Sequence, residues 1–185
     1  MKDDCKIIRQ LLDARSMELA IGEMALKLVR LHPDSENLIV LGMATRGIPL
    51  AKRLCEELKK HYGKEVRSGA IDATFYRDDF HYRKGVGNPE MRILDVPAVE
   101  GRTVVLVDDV LYTGRSVRAA MEAVFALGRP SAVRFCCLVD RGCRELPIAP
   151  DCAGLTIATA PGEEVRVHVE PTDPENAVYL VGVEK

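Results

Sequence analysis

The chain has 185 residues, 47% of them hydrophobic, with a formal net charge of −2, a length that fits one domain over residues 1–185 with a sizeable core. So balanced a charge excludes a global electrostatic footprint for nucleic acid, and any RNA site must be a local patch. No apolar stretch approaches the roughly 20 residues that cross a bilayer, and MKDDCKIIRQ lacks the apolar run of a secretory signal, so a cytoplasmic protein with no membrane partner is expected.

Apolar positions at helical spacing from Cys5 to Leu31 (Ile7, Ile8, Leu11, Leu12, then Leu19, Met24, Leu28) predict one long or two short helices, ending near His32-Pro33. Leu38 to Met43 reads as a strand. The loop Ala44 to Gly47 leads into a helix, Ile48 to Tyr62, closed by Gly63. Val66 to Tyr76 is a partly alternating strand. Arg77 to Pro97, charged and holding Gly85, Gly87 and Pro89, is a long loop of the kind that serves as a lid. The apolar run Thr103 to Val107 is unbroken, as in a strand covered on both faces, and stops at Asp108 and Asp109. A helix from Ser116 to Leu127 and a strand from Ala132 to Val139 follow, then tail strands at Glu164 to Val169 and Ala177 to Val183. Alternating strand and helix predicts an α/β fold with a mostly parallel central sheet and flanking helices. The six cysteines show no metal-ligand spacing and read as free thiols, with Cys136 and Cys137 facing opposite sides of their strand.

VVLVDDVLYTGRS, Val104 to Ser116, is the stretch richest in chemistry. Two carboxylates stand at a strand end. Beyond them Thr113, Gly114, Arg115 and Ser116 offer hydroxyls and backbone N–H groups at a helix start, where anions bind. A ligand carrying vicinal hydroxyls and a phosphate, such as a ribose 5-phosphate, suits that order. Gly42 to Gly47 has the glycine spacing of a P-loop, but Ile48 and Pro49 stand where that motif needs Lys and Ser or Thr.

DDVLYTGRS, YRDDF at Tyr76 to Phe80 and DRGCRELPI at Asp140 to Ile148 together resemble the PyrR family, whose members attenuate pyrimidine operons and act as uracil phosphoribosyltransferases. The resemblance implies the type I phosphoribosyltransferase fold, with a small hood over the sheet, and a reaction of phosphoribosyl pyrophosphate (PRPP) with uracil to give UMP and pyrophosphate. It implies substrate-binding roles for Thr45, Arg46, Gly47, Arg77, Asp108, Asp109, Val110, Leu111, Tyr112, Thr113, Gly114, Arg115, Ser116 and Arg141. Asp108, Asp109 and Arg83 become the catalytic candidates, and Arg77, Arg83 and Lys84 would cover the pyrophosphate from the lid. Mg²⁺ is expected as cofactor, carried by PRPP with no direct protein ligand. Tyr112 stands where purine-using relatives carry an acid that serves the base, which favours a pyrimidine acceptor and leaves the general base unassigned. A homodimer or higher homo-oligomer is also implied.

The family's second activity, binding a stem-loop in pyrimidine-operon mRNA, implies RNA contacts at Arg141 and Arg144. Against the family pattern DRGHRELPIRADYxGK this chain reads DRGCRELPIAPDCAGL, so Cys143, Ala149 and Leu155 replace His, Arg and Lys. Over Asp13 to Leu31 the first helical region adds only Arg15, Lys27 and Arg30. Transferase activity therefore ranks above RNA attenuation, with a UMP-responsive attenuator of weak catalysis as the alternative.

Overall fold

The computed structural model describes residues 5–72, 93–94 and 96–183. Strand β1 (Cys5–Leu12) is followed by α1 (Ala14–Leu31), β2 (Leu38–Met43), α2 (Gly47–Tyr62), β3 (Arg67–Ile71), β4 (Ile93–Leu94) and β5 (Thr103–Leu111). Then come α3 (Arg115–Leu127), β6 (Ala132–Asp140), β7 (Cys152–Thr156), β8 (Glu163–His168) and β9 (Ala177–Val183). Six strands form one sheet in the order β4-β3-β2-β5-β6-β7. It is parallel except for β4, which pairs antiparallel with β3.

Alternate residues of the central strands feed two cores. Val40, Val105, Val107, Cys136 and Leu138 meet α1 and α2 on one face. Ile39, Leu41, Val104, Leu106, Phe135 and Cys137 meet Val117, Ala120 and Val124 of α3 on the other. Such double coverage is why these strands read as unbroken apolar runs.

A second sheet, β1-β9-β8, is antiparallel throughout and unites the two ends of the chain. Here the sequence reading is corrected: Cys5 to Leu12 is a strand, and the helix begins only after Asp13, whose carboxylate accepts the Ser16 N–H at 2.8 Å. The helical spacing of Ile7, Ile8, Leu11 and Leu12 misled because β1 is an edge strand, with Ile7 and Ile8 both exposed. Its pairing with β9 overrides local pattern. Two further corrections are the strand β4 inside the segment read as loop and the unanticipated strand β7. Arg77, Arg83, Lys84 and the YRDDF motif lie outside the described residues. Among those described, no helix is long and apolar enough to cross a membrane.

Candidate active site

In a parallel sheet, ligands bind beyond the carboxyl ends of the strands, and here the register leaves a gap there. Pairing of β2 with β5 ends at Gly42 and Val107. Pairing of β5 with β6 continues to Leu111 and Asp140. The strand predicted to stop at Val107 therefore carries both acids within it, because its β6 neighbour is long enough to hold it. On its other side β5 has lost β2, which turns away into residues 44–47. That loop lies hard against the strand end. A Cβ on Gly47 would sit 2.3 Å from the Val107 carbonyl oxygen, and one on Gly42 would sit 2.6 Å from the Gly47 carbonyl oxygen. The two glycines that suggested a P-loop are spaced for this contact. The Ala44–Thr45 peptide is cis.

Both acids are half-buried and held by backbone. Oδ1 of Asp108 accepts the Asp109 N–H, and Oδ1 of Asp109 accepts the Val110 N–H, each at 2.9 Å. The chain then turns at Thr113, whose carbonyl accepts the N–H groups of Glu145 and Leu146 at 3.0 and 3.1 Å. Gly114 caps α3 with φ of +92°, a left-handed value that a side chain would strain, and a Cβ there would touch Ile148 and Leu146 at 3.4 Å. Neither Gly114 nor Arg46, the residue capping α2, supplies a side-chain cap, and neither helix has an acid in its first turn. Two helix N-termini thus open at the same end of the sheet, which suits an anion. Leu111, by contrast, is buried in the α3 core, and its carbonyl accepts the Arg141 N–H at 3.1 Å.

Arg46 is not idle. Its Nε and Nη2 donate to the two carboxylate oxygens of Asp173 at 2.8 and 2.7 Å. These hydrogen bonds raise the arginine above its ordinary pKa, with Asp109 adding a weaker pull. They also hold the Asp173 carboxyl below the usual carboxylate range.

A cavity of about 450 Å³ is lined by Tyr112, three residues after Asp109, with Arg141, Thr159, Gly162, Glu163 and Val183 among others, between the sheet end and the strands β8 and β9. The Arg141 guanidinium stacks 4.2 Å above the Tyr112 ring. It donates to Thr159 Oγ1 and to the Glu163 carbonyl, the latter at 2.6 Å. Arg144 is turned inward: it pairs with Asp140 at 2.6 Å and donates to the carbonyls of Ile148, Tyr112 and Gly142. Arg115 pairs with Glu145 at 2.5 Å.

Thr45, Arg46, Gly47, Asp108, Asp109 and the 113–116 turn thus lie at one end of the sheet, and Tyr112 and Arg141 meet in the cavity. Asp173, Thr159 and Glu163 were not anticipated. The signal for Asp173 was confined to a turn-like TDPEN segment, which local reading assigns to a loop.

Residues 8–172 match the phosphoribosyl transferase domain family. A protein of Lactiplantibacillus plantarum named bifunctional protein PyrR 1 is 40% identical over 178 residues, spanning 96% of this chain and 99% of that protein. The chain belongs to the PyrR family. The Bacillus subtilis PyrR is similar to the same degree, 41% identical over 171 residues, with 92% of this chain and 94% of that protein covered. The hypoxanthine phosphoribosyltransferase of Trypanosoma cruzi superposes with a TM-score of 0.71 over 96% of this chain and 98% of its own, at 17% identity, so that likeness is one of fold. A PyrR-family chain with this sheet is a type I phosphoribosyltransferase fold, and the three-stranded sheet is its hood.

Proposed function

We propose that the protein transfers the phosphoribosyl group of PRPP to uracil, releasing UMP and pyrophosphate. The observation that carries this reading is the acid pair at the open end of β5, at the end of the sheet where α2 and α3 begin, with Tyr112 of the cavity three residues further on. A ring nitrogen of uracil attacks the anomeric carbon, the bond from that carbon to the pyrophosphate oxygen breaks, and the nitrogen's proton leaves. Positive charge grows on the ribose as the bond breaks. Asp108 and Asp109 hold its hydroxyls and stabilise that charge through preorganised carboxylates. The 113–116 turn receives the 5-phosphate, and Thr45, Arg46 and Gly47 receive the pyrophosphate.

Phosphoribosyltransferases generally use Mg²⁺ with PRPP. Half-buried carboxylate oxygens are hard donors that suit its water shell, and the ion supplies charge neutralisation on the departing pyrophosphate. The cavity volume of about 450 Å³ lies within the range of small-molecule sites and accommodates a pyrimidine over the Tyr112 and Arg141 stack. Radiolabelled uracil incubated with Mg-PRPP should yield UMP. No product with any pyrimidine, in protein that binds PRPP, would defeat the proposal.

The family name carries a second activity, and the inward commitment of two arginines favours a distinct reading of it here. The donors of Arg141 go to Thr159 and Glu163, and those of Arg144 go to Asp140, Gly142 and Ile148 near it in sequence and to the Tyr112 carbonyl after β5. With Cys143, Ala149 and Leu155 in place of the family's polar residues, the surface around them is poor in phosphate contacts. Attenuator RNA is therefore bound weakly, and each lost contact flattens the slope of log K against log salt by roughly 0.7–0.9. A filter-binding titration at two salt concentrations, with uridine nucleotide present, checks this. Nanomolar, steeply salt-dependent binding would overturn it. Ala149→Arg combined with Leu155→Lys should raise affinity if those positions face RNA.

A further inference from the structure

The guanidinium of Arg46 has five N–H donors, and Asp173 takes one on Nε and one on Nη2 in a two-pronged contact. That contact fixes the plane of the group. Asp173 is itself fixed: its Oδ2 also accepts the Val169 N–H at 2.9 Å, and its own N–H donates to the Val169 carbonyl at 2.9 Å. The side chain of Asp173 is only 13% exposed, against 37% for Arg46, so the acid is the anchored partner and the arginine the presented one.

The turn carrying Asp173 is pinned to α2 independently. Arg53, two helical turns beyond Arg46, donates to Asn176 Oδ1 at 2.7 Å and to the Glu170 carbonyl at 3.3 Å. Asn176 in turn accepts the Glu170 N–H at 3.1 Å. Holding the hood turn in place thus falls to Arg53, and the Arg46 pair lies instead at the mouth of the 44–47 loop, within the electrostatic reach of Asp109.

We propose that Asp173 is a positioning residue for the pyrophosphate site: it holds the Arg46 guanidinium in one orientation before substrate arrives, so that the N–H groups it leaves unused meet the diphosphate. This rests on the reading of Arg46 as a pyrophosphate ligand. An arginine that is already ordered has less rotamer freedom to lose on binding. The pair joins residues of the core and the hood 127 positions apart, so the hood takes part in PRPP binding as well as in lining the base cavity.

Asp173→Asn tests this, because an amide of the same shape keeps the Val169 contact and loses the second acceptor of the fork. The KM for PRPP should rise about tenfold, the typical cost of leaving a long side chain to be ordered by the ligand, while kcat and the KM for uracil stay near the wild-type values. Asp173→Glu should restore part of the loss. In an Arg46→Ala background Asp173→Asn should add nothing, since the two residues act as one unit. An unchanged KM in Asp173→Asn, or effects that multiply in the double variant, would make Asp173 a structural residue and overturn the inference. If Arg46→Ala alone leaves the KM for PRPP untouched, the pyrophosphate role of Arg46 fails, and this inference with it. Should Asp173→Asn not fold, the wild-type protein still decides. The Arg46 Nε–H, assigned in ¹⁵N spectra by its loss in Arg46→Lys, should exchange slowly before and after pyrophosphate is added. Rapid exchange in the ligand-free protein would overturn the proposal.

Discussion

Replacing Asp108 and Asp109 together by asparagine should lower kcat with uracil and PRPP by about 10²–10³-fold, the usual loss when a preorganised electrostatic stabiliser is removed. The fold should survive the change. Each Asp accepts a backbone N–H through one oxygen at 2.9 Å, and an asparagine oxygen can accept the same bond. What the amides cannot supply is negative charge beside a ribose that becomes cationic as pyrophosphate departs. Calorimetry should still detect PRPP binding, with thermal stability near that of the wild type. A variant that retains wild-type kcat would remove the acid pair from the chemistry and leave the 113–116 turn as a phosphate site alone.

The parts of this fold legible in the sequence are those where local pattern and tertiary burial agree. β2, β5 and β6 sit between two helical layers, so their apolar runs are unbroken, and α2 and α3 end on glycines beyond an apolar stripe. The misread parts are those where distant partners decide. β1 is stabilised by pairing with β9 at the far end of the chain, which no window of residues around Ile7 reveals. In β7 the residue Gly154 stands where a Cβ would lie 2.9 Å from the Leu138 carbonyl oxygen and 3.1 Å from the Ala20 Cβ, so close packing replaces the apolar side chain that would have announced a strand.

The same division runs through the site. The acids and the phosphate turn are contiguous in sequence and declare themselves, because a strand end, two carboxylates and a helix start form one short chemical unit. The partners of the arginines do not. Asp173 reaches Arg46 from the hood, and Thr159 and Glu163 reach Arg141 from the segment leading into β8 and its first residue. Sequence supplied the charged groups, and only the fold shows which of them are already committed.

Gly47→Ala should be the most damaging of the glycine-to-alanine changes among the described glycines, by the closeness of the contacts its Cβ would make. Its Cβ would fall 2.3 Å from the Val107 carbonyl oxygen, with the Val107 carbonyl carbon at 3.3 Å and the Asp108 Cα at 3.4 Å. All three are backbone atoms of a strand hydrogen-bonded to β6, so none can swing aside as a side chain would. The 44–47 loop must lift from the strand end instead, carrying Thr45 and Arg46 away from Asp109. Overpacking of this kind costs about 1–3 kcal/mol, which for a protein of this size lowers Tm by roughly 2–12 °C. The catalytic loss should be larger in proportion, since displacing a substrate-positioning group by about 1 Å can cost about 10²-fold, and it should appear mainly in kcat/KM for PRPP. Gly22→Ala provides the contrast. Gly22 lies inside α1, and a Cβ there meets nothing within 4 Å, so the change should stabilise the helix by about 0.5–1 kcal/mol and leave turnover unaltered. Wild-type kinetics in Gly47→Ala would mean that the close approach of this loop to β5 is dispensable, and that the pyrophosphate must be held by other groups.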